Sequence, residues 1–107
     1  MKLNDYQELS KRTMPEKDMR KVSANYAMGL TGEAGEVSDV LKKWLFHNHD
    51  LDRMELKKEL GDVLHYLSGL ATLHHFSLED VAKENIEKLK KRYPGGFSEE
   101  DSINRTE

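Results

Sequence analysis

The chain has 107 residues, 17 basic and 20 acidic side chains, a formal charge of −3 and no cysteine. One domain exhausts that length, and disulfides, thiol catalysis and Cys-ligated metal sites are excluded. The two charge signs are interspersed, no apolar run nears the roughly 20 residues of a membrane span, and the opening MKLNDYQ lacks a hydrophobic signal region. No nucleic-acid partner and no membrane partner are therefore expected, and a cytoplasmic location is the default.

Leu, Ala, Lys and Glu dominate between Pro15 and Pro94, which are the two prolines, and no strand-like alternation occurs. The first predicted helix covers residues 3–12, with Asn4 and Gln7 spaced as a capping box and Leu3, Tyr6 and Leu9 recurring every third residue. The second covers residues 22–46 with the stripe Tyr26, Leu30, Ala34, Val37, Leu41, Trp44 and Leu45. A loop, His47-Asn48-His49-Asp50, follows. Asp52 with Glu55 then caps a third helix that reaches residue 75 and carries Leu56, Leu60, Val63, Leu64, Leu67, Leu70 and Ala71. Ser77 starts the fourth, which stops at Tyr93-Pro94-Gly95-Gly96. The tail, residues 98–107, is polar, and Ser98 can cap one short turn; otherwise mobility is expected there. The short loop makes the middle helices an antiparallel hairpin. The fold class is all-α: a four-helix bundle-like single domain over residues 1–97.

Four acids fall on the wrong side of this pattern. At about 100° per residue, Glu33 lies inside the second helix's apolar stripe and Glu36 at its edge. Glu59 and Asp62 lie on the apolar arc of the third helix. Residues three apart share a helix face. In an antiparallel hairpin all four carboxylates can meet. Crowded, poorly solvated carboxylates protonate unless a positive group compensates. A hard ion such as Mg²⁺ or Mn²⁺ favours such an all-oxygen set. The plainer account pairs each acid with a lysine on a solvated face. Gly29, Gly32, Gly35, Gly61 and Gly69 add helical cost, offset by close approach of a backbone or a ligand.

The ordered motifs resemble those of MazG-like nucleotide pyrophosphohydrolases, of the all-α NTP pyrophosphatase superfamily. Gly29-Leu30-Thr31-Gly32-Glu33-Ala34-Gly35-Glu36-Val37 carries the ExxE element, and Glu59-Leu60-Gly61-Asp62-Val63 the ExxD element. Asn85, Lys88 and Arg92 follow at i, i+3 and i+7 before Tyr93-Pro94. The resemblance spans most of residues 3–97, with Tyr6-Gln7 and Arg12-Thr13 also in keeping. It implies Mg²⁺-dependent hydrolysis of a (d)NTP between the α and β phosphates, giving monophosphate and pyrophosphate, in nucleotide-pool control or house-cleaning. It implies Glu33, Glu36, Glu59 and Asp62 as metal ligands, with Glu33 and Glu36 as catalytic carboxylates. Asn85, Lys88 and Arg92 bind substrate in this reading.

Two departures stand out. Where some branches carry an extra glutamate before the first ExxE residue, this chain has Gly32, so Glu36 is the first choice of general base. Position 65, often aromatic in related sequences, is His65. Asp62 and His65 also make a DxxH, but a di-iron bundle needs such a pair on two helices. His47 and His49 are read as a solvated loop rather than a transition-metal site. Tyr6, Trp44, Tyr66 and Phe97 are candidate stacking residues, with Trp44 better read as core. A homo-oligomer is expected, a tetramer slightly favoured over a dimer, because a lone hairpin would expose Trp44, Leu45 and Phe46. The resemblance implies that a neighbouring chain's residues can complete the nucleotide pocket. The rival reading is a catalytically silent helical oligomerisation module.

Overall fold

The computed structural model describes residues 1–105 and is all-α. Five helices run in chain order: α1 (Leu3–Ser10), α2 (Met19–Phe46), α3 (Arg53–Leu73), α4 (Leu78–Arg92) and α5 (Glu99–Ile103). A 3-10 turn over Lys11–Thr13 continues α1. α2 and α3 form the expected hairpin. α1 rests on α3 and α4, and α4 packs mainly on α1 and α3.

Local chemistry sets the ends. The Asp18 carboxylate accepts from Arg20 N at 3.0 Å, so α2 starts at Met19, earlier than the apolar stripe suggests. Asp52 accepts from Glu55 N, Ser77 from Asp80 N and Ser98 from Asp101 N, at 2.9, 3.1 and 3.0 Å. The last of these starts α5, the short turn that Ser98 was expected to cap; residues 106–107 of the tail lie outside the described residues. α3 stops at Leu73 rather than at residue 75 because His75 turns left-handed, with φ 62°. Phe76 N then reaches back to Ala71 O at 2.8 Å and His75 N to Thr72 O at 3.2 Å. That pair of bonds closes the orphan carbonyls of the last turn.

Asn4 and Gln7 do not form a capping box for α1; Asp5 instead accepts from Lys2 N. The two amides bracket the start of α4 from 71 to 75 residues away in sequence. Gln7 is buried, and its Oε1 accepts from Leu78 N at 2.7 Å. Its Nε2 donates to Phe76 O at 2.9 Å and to Thr72 Oγ1 at 3.1 Å. Asn4 Oδ1 accepts from Glu79 N at 3.2 Å. Donors left orphan by the helix start are thus satisfied by α1.

The buried apolar side chains are Val22, Tyr26, Ala71 and Leu78, all at this end of the hairpin. Two glycines make the close packing possible. The Tyr26 ring occupies the space a Cβ on Gly69 would take, and the Tyr66 ring does the same at Gly29. The tyrosines meet edge to face, ring centres 5.3 Å apart. At the loop end Trp44, Leu45, Phe46 and Met54 are exposed. Trp44, read from sequence as core, is 44% exposed in the single chain.

Candidate active site

Midway along the hairpin, α2 and α3 bring Glu33, Glu59 and Asp62 together. One carboxylate oxygen from each lies within 4.8 Å of the others. Glu33 and Glu59 are half-buried and Asp62 is exposed. The meeting follows from antiparallel packing: the tyrosine–glycine contacts fix the register, and the acids fall a turn further towards the loop.

Glu59 is the strained member. Its Oε2 is shielded from solvent and has no hydrogen-bond partner. Its carboxyl is pushed up to about 7, first by hydrogen bonding with Glu55, then by desolvation, then by Glu33. These facts agree physically. With every acid ionised there is no proton to donate, and Oε2 faces other acceptors. A proton on Glu59 makes it a donor towards Glu55 or Glu33. A divalent cation would relieve the same repulsion, and an orphaned oxygen in an all-oxygen set fits a hard ion of the Mg²⁺ type.

Glu36 is exposed and stands outside the 4.8 Å group. Its charge instead acts on Lys43, whose pKa is raised chiefly by its hydrogen bond with Asp39. The α2 lysine pairs lie further along, Asp39 meeting Lys43 at 3.0 Å and Lys42 at 3.4 Å. Glu55, which acts on Glu59, was not singled out from sequence because its position near the start of α3 already explained it. Its signal was the i, i+4 spacing to Glu59, which puts both on one face.

The remaining candidates sit apart. Asn85 and Lys88 share an open cavity of about 670 Å³ on α4 with Phe76, Asp80 and Val81. None of the three clustered carboxylates lines it among the described residues. Arg92 is the last residue of α4 and is half-buried. His65 bonds to α1, where its Nδ1 lies 2.7 Å from Ser10 Oγ. It packs against Tyr26 and Tyr66 with ring centres 5.9 and 5.2 Å away. His47 and His49 are exposed and join no metal-ligand group among the described residues. A Cβ at Gly32, Gly35 or Gly61 would meet nothing within 4 Å. Packing within the chain therefore accounts for Gly29 and Gly69 and leaves these three unused.

No helix is long and apolar enough to cross a membrane among the described residues. The model of the MazG nucleotide pyrophosphohydrolase domain matches residues 22–97, a span that includes all four motif acids and the Asn85–Lys88–Arg92 set. The Gene 37 protein of Mycobacterium phage L5 is 37% identical over 82 residues, covering 73% of this chain and 72% of the relative. The Uncharacterized protein YvdC of Bacillus subtilis (strain 168) is 34% identical over 73 residues, covering 60% of this chain and 69% of that protein. No solved structure gives a significant match. The matched span takes in the whole acidic hairpin, and this all-α chain belongs to the MazG nucleotide pyrophosphohydrolase family.

Proposed function

We propose that the protein is a Mg²⁺-dependent pyrophosphohydrolase that splits nucleoside triphosphates between the α and β phosphates, releasing a monophosphate and pyrophosphate. The observation that carries this reading is the unpartnered Glu59 Oε2 within the Glu33–Glu59–Asp62 group. Three clustered acids on two helices, two of them half-buried, repel one another unless a cation is bound there. Bound Mg²⁺ would neutralise phosphate charge and lower the pKa of a water, with Mn²⁺ a workable substitute.

The chain's own groups divide the remaining work. Glu33, Glu59 and Asp62 hold the ion. Glu36, exposed one turn from Glu33 on the same helix, completes the set with its side chain swung inward, or takes a proton from the attacking water. Asn85, Lys88 and Arg92 bind the polyphosphate. They lie on α4, which packs mainly on α1 and α3, and a second copy is a natural way to bring further groups to the acids. The exposed Trp44, Leu45 and Phe46 supply an apolar surface for that contact. We take the working form to be a homo-oligomer, with a tetramer favoured over a dimer.

Calorimetric titration with Mg²⁺ and Mn²⁺, paired with a pyrophosphate-release assay on canonical and modified dNTPs, tests the reading. We expect saturable metal binding and pyrophosphate release. Neither would occur in a silent oligomerisation module, and that result would reject the enzyme.

A further inference from the structure

α1 is fastened to the hairpin by polar groups. The buried residue of this helix is Gln7, whereas Leu3 and Leu9 face solvent and Tyr6 is half-buried. Its seam with α3 is polar as well. Ser10 Oγ meets His65 Nδ1 at 2.7 Å, and Gln7 Nε2 donates to Thr72 Oγ1 at 3.1 Å. Ser68 lies three residues after His65 and four before Thr72, so it shares their face of α3. It is 1% exposed, and its Oγ has no partner. Hydrogen bonds formed on docking replace bonds to water, so a seam of this kind, with one hydroxyl unsatisfied, gains little net free energy. Residues 14–18, which link α1 to α2, form no helix. α1 is therefore an element that opens more readily than the hairpin it covers.

His65 connects this seam to the acids. Its ring packs on Tyr66, and Tyr66 in turn fills the place of a Cβ on Gly29. Gly29 precedes Glu33 by four residues, and Tyr66 follows Asp62 by four. The ring-on-glycine contact thus stands one helical turn from both acids. The acids repel each other and push α2 from α3, while the ring sets how closely the two helices approach. Ser10 fixes the His65 ring, and His65 backs Tyr66.

Resting on the metal-site reading, we infer that Ser10 and His65 are positioning residues for the cation. Docked α1 keeps Tyr66 seated on Gly29, which keeps Glu33 and Asp62 at ligand spacing, so α1 docking and cation binding strengthen each other. Linkage makes the effect reciprocal: the factor by which docking tightens cation binding is the factor by which the cation tightens docking.

The test pairs calorimetric titration with Mg²⁺ and hydrogen exchange of the α1 backbone amides, in the wild type, Ser10→Ala, Ser10→Thr, His65→Asn and Ser23→Ala. Ser23 Oγ meets His74 Nε2 at the same 2.7 Å in a bond that does not involve α1, so Ser23→Ala is the control for loss of a Ser–His contact. Mg²⁺ affinity should fall about fivefold in Ser10→Ala and at least as far in His65→Asn, which loses the ring against Tyr66. Ser10→Thr keeps the hydroxyl and should restore most of the loss; Ser23→Ala should stay near wild type. Saturating Mg²⁺ should slow exchange across α1 about fivefold in the wild type and not in Ser10→Ala. Circular dichroism checks the fold, and the Ser10 pair decides should His65→Asn fold poorly. Equal Mg²⁺ affinity in the wild type and Ser10→Ala, or α1 exchange indifferent to Mg²⁺, would overturn the coupling while leaving the metal site standing. Absence of Mg²⁺ binding by the wild type would overturn the metal reading and the coupling with it.

Discussion

The two ends of the α2–α3 hairpin are made of similar residues and finish differently. At the start of α2 and the end of α3, tyrosine rings cross onto glycines of the opposite helix, and α1 and α4 cover the outside. Towards the loop the glycines are open, and Trp44, Leu45, Phe46 and Met54 face solvent. The acidic group lies between these ends. Its closed side is packed by the chain itself, with Ser68 Oγ buried and unpartnered there; its open side has unused space and apolar surface, and Glu59 Oε2 stands shielded and unpartnered between the two. The difference separates what folding requires from what is left for a ligand or a second copy.

The largest effect expected is on the acids themselves. Asp62→Asn keeps the shape and removes one charge from the group. Turnover should fall by about 100-fold or more at saturating Mg²⁺, with the fold retained. Steady-state kinetics beside a circular dichroism spectrum decides; near-normal turnover would remove Asp62 from the site.

The closed end should be sensitive to small insults. Gln7→Ala removes three hydrogen bonds at a buried position and should cost about 2–4 kcal/mol in urea unfolding. Gly69→Ala sets a methyl group against the Tyr26 ring and should cost about 1–3 kcal/mol. Gly32→Ala, on the open side, should do the reverse. It meets no atom, gains helix propensity and should raise stability by up to about 1 kcal/mol. Similar penalties at positions 32 and 69 would erase the contrast between the ends.

The smallest effect is a pH dependence. Glu59 has its carboxyl raised from 4.5 to about 7, so the folded protein holds this proton more tightly than the unfolded chain. Its contribution to stability is full below about 4.5 and is lost as pH rises through 7. The melting temperature of the metal-free protein should fall between pH 5 and 8. Glu59→Gln should flatten that slope and melt higher at pH 8. A slope unchanged in the variant would mean that other groups set it.

Much of this was legible in the sequence, for identifiable reasons. Ser77, Asp52 and Ser98 announce helix starts because capping is local chemistry. The start of α2 was missed because Met19, in its first turn, is exposed and lies off the apolar stripe. Gln7 was misread because its bonding partners lie 65 to 71 residues away, and local spacing offered a nearer explanation. Glu33 and Glu59 were visible on the helical wheel as acids on the packed side, where both are half-buried; Glu36 and Asp62, read the same way, are exposed. Which of the four meet was not visible, since that depends on the register set by Tyr26 on Gly69 and Tyr66 on Gly29. For the same reason five glycines that look alike in sequence divide into two that are packed and three that are open.

The central claim is that the acids between these two ends serve to split a triphosphate at its α–β bond. Phosphorus NMR of a dNTP incubated with the protein and Mg²⁺ reads the products directly. The account predicts resonances of a nucleoside monophosphate and pyrophosphate growing together at equal rates, and none when Mg²⁺ is chelated. Nucleoside diphosphate and orthophosphate as the main products would contradict it.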